Sequence, residues 1–485
     1  MRGPRRLHCV GLWLAASALA SVAAPAAATD LIDAWRAAQQ HDLDFAVSRA
    51  AQQSGAARRS QAGALWRPTV MLSGTAGVAG SDTAVNGAQF SAPGLGTSEG
   101  VAFNTSVNRG TLGRWALSAS LPLISRERDA QGKQLVLSAD VADLEWQEAQ
   151  QTLMVTTAQR YFDVVLAADA LRVLRQQQVA VNSALTETQD RFRLGDKPVT
   201  DTHEAAARAE AITAQGLVLE TDLRLKQAAF TDATGLQPNS VQWMAPGRIE
   251  TRDTFETRDT LDTLDTRAPP ASTQALEFWV SESGARNFML RMQLAAVEVA
   301  TQEAVKSSGA LSPSLDLVAQ VGRERLSGSG DFGNAANSSG NRMIGMQLSV
   351  PLYTGGMRGA REQEALRSID KARAQADRTR QQVVQQTRAA WLGLTVGAGR
   401  IAALSQALVS TRARLDATRL GRQVGDRTTL DLLNAENDTA STELTLMQAR
   451  VEFLMNRLRL AAAAGRLDEA WLQSVNASLQ PLATR

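Results

Sequence analysis

Two periodicities alternate along the chain. Apolar side chains fall at every second position over Val70, Leu72, Gly74, Ala76 and Val78, and again over Trp115, Leu117, Ala119 and Leu121. The same spacing returns over Leu315, Leu317, Ala319 and Val321, and over Ile344, Met346, Leu348, Val350 and Leu352. Period two marks a strand with one apolar face, which predicts strands at about 68–80, 113–123, 313–325 and 342–352. The stretches between each pair, Ser81–Gly113 and the shorter Ser327–Asn341, are rich in Gly, Ser and Asn and are expected to be loops.

Elsewhere the spacing is three and four. Leu135, Ala139, Ala142, Trp146, Ala149, Leu153 and Thr156 form a heptad seam, as do Ile369, Ala372, Ala376, Thr379, Val383, Gln386 and Ala390. A third run is Leu433, Asn437, Ala440, Leu444, Met447, Val451, Leu454 and Leu458. The first run lies in a proline-free stretch from Arg126 to about Arg191, which as one helix would be on the order of 100 Å long. That exceeds the needs of a globular core, and the small seam residues favour a wall of closely approaching helices over a filled rod. A shorter helix is expected from Leu31 to about Ala64, with Asp30 as its cap.

These segments occur twice in one order. Pro68 and Pro313 are 245 apart, Pro122 and Pro351 are 229 apart, and the pairs Gly195/Gly425 and Asp201/Asp431 are each 230 apart. A near-constant offset over separate landmarks implies two half-units that bury together what neither buries alone. The boundaries expected are a leader at 1–28, a first repeat at 29–240, a linker at 241–272, a second repeat at 273–470 and a tail at 471–485. Gly195 and Gly425 each stand where a long helical run stops, as left-handed caps would. The linker, with Thr251-Arg252-Asp253-Thr254 and Thr257-Arg258-Asp259-Thr260, is charged, of low complexity and too polar to fold alone.

Composition narrows the function. Arg2, Arg5 and Arg6, an apolar run from Val10 to Ala20 and Ala26-Ala27-Ala28 make a secretory leader. The formal charge of +2 contains those three arginines, so the remainder carries −1 and offers no basic patch for nucleic acid. The single cysteine, Cys9, lies in the leader, so disulfides, thiol chemistry and a lipid anchor at a cysteine after the apolar core are not expected. No later apolar run approaches 18 residues, which speaks against helical spans but not against a β-barrel. His41 and His203 lack metal-ligand spacing, and no metal or other cofactor is expected. Gly355-Gly356-Met357-Arg358-Gly359 lacks a phosphate-loop pattern and reads as a strand-to-helix turn. Trp66 and Trp115, near strand ends, suit either an interfacial aromatic belt or ordinary packing. No nucleophile elbow or His–carboxylate pair suggests an enzyme.

Three motifs bring a family into view: the helix followed by Arg67-Pro68 and a strand, the block Pro351-Leu352-Tyr353-Thr354-Gly355-Gly356, and Val424-Gly425-Asp426-Arg427-Thr428-Thr429-Leu430-Asp431-Leu432-Leu433-Asn434-Ala435-Glu436. The chain resembles the TolC-like outer-membrane channels of Gram-negative bacteria. The resemblance implies an α+β membrane protein in which a homotrimer shares a twelve-stranded barrel in outer-membrane lipid, four strands from each protomer. Long coiled-coil helices would form a tunnel through the periplasm.

At the tunnel's periplasmic end, position matching places Asp431 on the pore as a ring of like charge that should raise its own pKa. Asn434 falls where the family can carry a second acid, and Arg422 where it can carry a tyrosine. Arg427 matches a latch arginine whose partners would be Thr200 and Asp201. A plainer role for Asp201 and Asp431 is that of an acid in a helix's first turn.

The resemblance further implies a duct docked to a periplasmic membrane-fusion adaptor and an inner-membrane transporter. An ABC transporter would make it a type I secretion system, and a proton-driven pump a multidrug efflux system. The absent lipid-anchor cysteine tilts the expectation toward secretion. A coiled-coil envelope fibre would explain the heptads but not the symmetric strands.

Overall fold

The computed structural model describes residues 30–247 and 273–481, apart from 95, 197, 310, 311 and 332. The leader, most of the expected linker, Lys197 and the last four residues lie outside the described part. Helices α1 (Leu31–His41) and α2 (Leu43–Ala64) lead into strands β1 (Thr69–Ala92) and β2 (Gly96–Ile124), then helices α3 (Arg126–Arg193) and α4 (Val199–Thr234). After β3 (Met244–Pro246) the order recurs: α5 (Thr273–Arg286), α6 (Phe288–Gly309), β4 (Ser314–Gly330), β5 (Gly333–Ser349), α7 (Met357–Gln423) and α8 (Thr429–Ala463). A short helix α9 (Glu469–Asn476) and strand β6 (Leu479–Pro481) follow.

Local chemistry sets the boundaries. Asp30 accepts hydrogen bonds from the backbone N–H groups of Ile32 and Asp33, and Asp42 accepts one from Phe45. Ser125 accepts one from the Arg128 N–H and starts the 68-residue α3. Each satisfies donors that a helix leaves free at its first turn. Gly355 and Gly356 take left-handed φ angles of +62° and +80° between β5 and α7, a turn that side-chain-bearing residues adopt only with strain.

The four long strands form one antiparallel sheet in the order β1-β2-β4-β5. Both expected loops are instead strand. Pairing runs from Thr69↔Ser120 to Ala92↔Gly96, and from Ser314↔Ser349 to Gly330↔Gly333. The loop reading rested on polar composition, but a hairpin ladder is held by backbone hydrogen bonds and needs an apolar face only where it meets apolar surroundings. Ser, Thr, Asn and Gly therefore extend it, with register shifts at Ala79/Ser81, Val85/Ala88 and Ala88/Phe90. The shorter hairpin ends against the longer one. The Asp331 N–H donates to Ser106 Oγ at 2.7 Å, and Asn108 Nδ2 donates to Asp331 Oδ1 at 2.6 Å. A side chain on Gly330 would run into the Ser106 carbonyl.

The core lies beside the middle of α3, away from the sheet. Tyr161, Phe162 and Phe230 are fully buried, Trp243 stacks among them, and Leu31, Leu472 and Val475 close around them. Tyr161 accepts the Met244 N–H at 2.7 Å and donates to the Gln242 carbonyl, while burial pushes its phenol up to about 12. Two expected boundaries fail here. Residues 241–247 belong to the core rather than to a linker, because Trp243 is apolar ballast and Met244–Pro246 pairs with Leu479–Pro481. The expected tail likewise holds most of α9 and all of β6.

The heptad register also drifts. On α3 the buried stripe steps from Leu153 to Thr157 and Tyr161, leaving Thr156 exposed, and on α7 it steps from Val383 to Thr387, leaving Gln386 exposed. A helix of 3.6 residues per turn rotates away from a strict seven-residue repeat. One stretch of α7 is long and apolar enough, by length and composition alone, to cross a bilayer. The expectation that no such stretch follows the leader was therefore too strict. The stretch sits inside a 67-residue helix, where Gly397 meets Phe453 of α8.

Candidate functional site

The predicted residues gather at the two turns that end α3 and α7. Gly195 has φ +77° and Gly425 has φ +85°, and backbone bonds close both helices alike. Asp196 N–H reaches the Arg191 carbonyl at 2.9 Å, and Asp426 N–H reaches the Gly421 carbonyl at 2.8 Å. The long helices therefore reverse and return as α4 and α8. Val181 and Ala184 of α3, Ala209 of α4 and Leu433 of α8 pack together near these tips.

The entries to the returning helices differ. Pro198 caps α4 without a side-chain hydrogen bond. Thr428 caps α8 with a complete capping box: Thr428 Oγ1 accepts from the Asp431 N–H at 3.1 Å, and Asp431 Oδ2 accepts from the Thr428 N–H at 3.0 Å. These bonds from Thr428, and then the charge of Arg427, hold the Asp431 carboxyl below the usual range. Within one protomer that runs opposite to the upward shift expected from a ring of three acids. The first-turn role is thus directly visible, for Asp431 and also for Asp201 in the first turn of α4.

The expected latch is rearranged. Arg427 N–H bonds the Gly421 carbonyl at 3.2 Å, and its side-chain stem lies where a Cβ on Gly421 would sit. Among the described residues no ion pair joins Arg427 to Asp201, and no hydrogen bond joins it to Thr200. Arg422 takes the cross-half role instead, by an ion pair with Glu187 of α3. Glu187 also receives Arg191 of its own helix at 2.9 Å. Asn434 accepts a hydrogen bond from Arg208 of α4 at 3.2 Å, and Arg208 lies 3.7 Å from Glu204. Two clasps, Arg422–Glu187 and Arg208–Asn434, therefore tie the first tip to the second.

Sequence reasoning missed Glu187 and Arg208. Their one visible signal was position: Glu187 lies eight residues before Gly195 and Arg208 thirteen after it. Deeper in the bundle Arg172 bonds the buried Asp169 at 2.7 Å and Glu443 at 2.9 Å, and Arg412 reaches Glu443 at 3.3 Å, joining α3, α7 and α8. His41 stands against Gly235. Among the described residues no group of three His, Cys, Asp or Glu side chains could hold a metal ion.

A sheet with one apolar face is thus set on helices that reverse far from it, an architecture shared with outer-membrane channels. The chain belongs to the outer membrane efflux protein family, whose sequence profile matches residues 34–236 and 279–466. It is 28% identical over 381 residues to the outer membrane protein TolC of Escherichia coli (strain K12), covering 76% of this chain and 73% of that one. It is 29% identical over 367 residues to the alkaline protease secretion protein AprF of Pseudomonas aeruginosa, covering 75% and 71%. The crystal structure of the outer membrane protein VceC from Vibrio cholerae superposes with a TM-score of 0.66 at 18% identity, covering 90% of this chain and 96% of that one. The protein is a TolC-like channel of the Gram-negative outer membrane that extends into the periplasm, and it is not an enzyme.

Proposed function

We propose that three copies of this chain form an exit duct that carries proteins across the outer membrane in type I secretion. The open edges of the sheet support the trimer. Strands β1 and β5 each pair on one side only, and a bilayer core does not tolerate unpaired backbone groups. Joining β5 of one protomer to β1 of the next closes twelve strands without an edge. The recurring element order then reads as a duplication that supplies each protomer with two hairpins and two tunnel-wall helix pairs. An inner-membrane ABC transporter would supply energy and a periplasmic membrane-fusion adaptor would bridge the gap. The observation that carries protein export over small-molecule efflux is the similarity to relatives named for protease secretion. A deletion strain decides between them: loss of a secreted protein with unchanged drug sensitivity supports export, whereas drug hypersensitivity with an intact secretome assigns the duct to an efflux pump.

The helical tips are the gate in this reading. Arg422–Glu187 and Arg208–Asn434 hold the two helix–turn–helix units of one protomer together, and Asp431 provides one acidic ring at the pore. The site is broken by removing either clasp, and ion conductance in planar bilayers reports the change.

A further inference from the structure

The apolar face of the sheet has an uneven charge. Cross-strand partners place Val70, Leu72 and Val78 of β1, Leu117 and Trp115 of β2, Leu317 and Val321 of β4, and Ile344 and Met346 of β5 on one face. Arg323, Arg325 and Arg342 share that face. Trp115 pairs with Arg323, Val321 with Arg342, and Gly113 with Arg325, so the three arginines occupy adjacent rows of β4 and β5. No Asp or Glu occurs at the positions of this face on any of the four strands between Val70 and Val78, Arg109 and Leu121, Leu315 and Ser329, or Asn334 and Leu348. The strand acids Asp316 and Glu324 are on the opposite face, where Glu324 lies 3.9 Å from Arg114. All three arginines are exposed. Among the described residues none of them has a carboxylate within ion-pair distance, and Arg323 donates to Ser338 Oγ at 3.2 Å on the same face.

Their height is as informative as their charge. The strands leave α2 and α6 at the helical end, so the apolar rows begin near Leu315 and Leu348. At about 3.3 Å per residue and a tilt near 40°, Arg325 stands roughly 25 Å farther out, at the far rim of an apolar band of that thickness, with Arg323 and Arg342 just below it. Immediately beyond lies a shallow depression of about 630 Å³, with Arg109, Thr111, Ser327, Ser329 and Asn334 among its lining residues. Uncompensated cations at the edge of lipid attract phosphate, which arginine binds by parallel hydrogen bonds. Hydroxyls and an amide directly above them suit sugar rather than a second acyl layer.

We propose that Arg323, Arg325 and Arg342 bind the phosphates of a phosphorylated glycolipid of the lipopolysaccharide class in the outer leaflet, with its sugar over Thr111, Ser327 and Ser329. This rests on the sheet's being the membrane barrel. The full-length protein is purified from outer membranes in non-ionic detergent, delipidated and offered four probes: lipopolysaccharide, the same material dephosphorylated, phosphatidylglycerol, and inorganic phosphate. Wild-type protein should bind the intact glycolipid, with binding weaker by roughly tenfold or more for the dephosphorylated form and for the R323Q/R325Q/R342Q variant. The single variant R325Q, changed at the rim, should show part of that loss. Phosphatidylglycerol should bind more weakly, and inorganic phosphate should not compete.

Equal binding by the triple variant, or equal binding of the dephosphorylated glycolipid, overturns the site. Equal binding of phosphatidylglycerol or full competition by inorganic phosphate overturns the assignment to a glycolipid. Outer-membrane fractionation and bilayer conductance are followed in both proteins and should be unchanged. Their failure in the wild-type protein overturns the channel reading on which the site rests.

Discussion

The two helical tips are built alike and tied differently. Each long helix ends at a left-handed glycine and closes with the same pattern of backbone bonds. The second tip then restarts its helix with a threonine–aspartate capping box, whereas the first restarts with Pro198 and no side-chain cap. The first tip contributes Glu187 and Arg208 to the clasps, and the second contributes Arg422 and Asn434. Turn geometry is the same at both tips while the side chains that face the other tip differ. The shared geometry makes the reversal, and the divergent side chains determine how firmly the two reversals hold together.

The comparison can be broken most directly at the half-buried ion pair. Arg422→Ala and Glu187→Ala should each raise single-channel conductance, and a double-mutant cycle should give a coupling of about 1.5–3 kcal/mol, the range for hydrogen bonds to charged groups. Additive effects would mean that the two side chains do not act as a clasp. Arg427→Ala should also raise conductance, but less than Arg422→Ala, because Arg427 acts on its own turn. If Arg427→Ala opens the channel further than Arg422→Ala does, the latch lies elsewhere.

Exchanging the caps tests the second difference. Thr428→Ala should cost about 1 kcal/mol of helix stability, seen as faster amide exchange at the start of α8. Pro198→Thr, which sets a hydroxyl three residues before Asp201, should slow exchange at the start of α4. An unchanged exchange pattern in both variants would show that the tips do not depend on their caps.

The smallest effect is expected at Asp431. Asp431→Asn should weaken block by divalent cations applied from the periplasmic side; undiminished block removes Asp431 from the constriction. Because capping lowers the folded-state pKa of Asp431, the cap's contribution is complete above the ordinary carboxylate range and is lost as pH falls through that lowered value. Amide protection at the start of α8, taken as exchange relative to that of an unstructured chain at the same pH, should fall only below that range. Loss of protection that begins above it would show that repulsion among three copies outweighs the cap.

Much of this architecture was legible in one sequence. Period-two alternation found the apolar part of every long strand, and the glycines and prolines marked the reversals. The strand extensions were not legible, because past the apolar band the ladder is held by backbone groups that carry no side-chain signature. Trp243, Leu472 and Val475 were also hidden, since the core they join is assembled from segments hundreds of residues apart. At the tips the positions of Arg422, Asn434 and Asp431 were readable, but their partners were not. Glu187 and Arg208 lie on polar helix faces whose charges resemble any solvated surface until a second helix is brought against them. For the same reason Arg427 was assigned partners across the halves when its nearest interactions are within its own turn.

The contact of α1 with α9 carries a consequence for biogenesis. Asp30 accepts a hydrogen bond from Asn476, Arg36 pairs with Glu469, and β6 completes a sheet begun by β3. A polypeptide threaded through a translocon amino-terminus first would hold this midsection unfinished until Leu472, Val475 and Leu479 have emerged. Until then Trp243 and Tyr161 lack apolar neighbours that the finished fold supplies from far downstream, so this part of the core closes late.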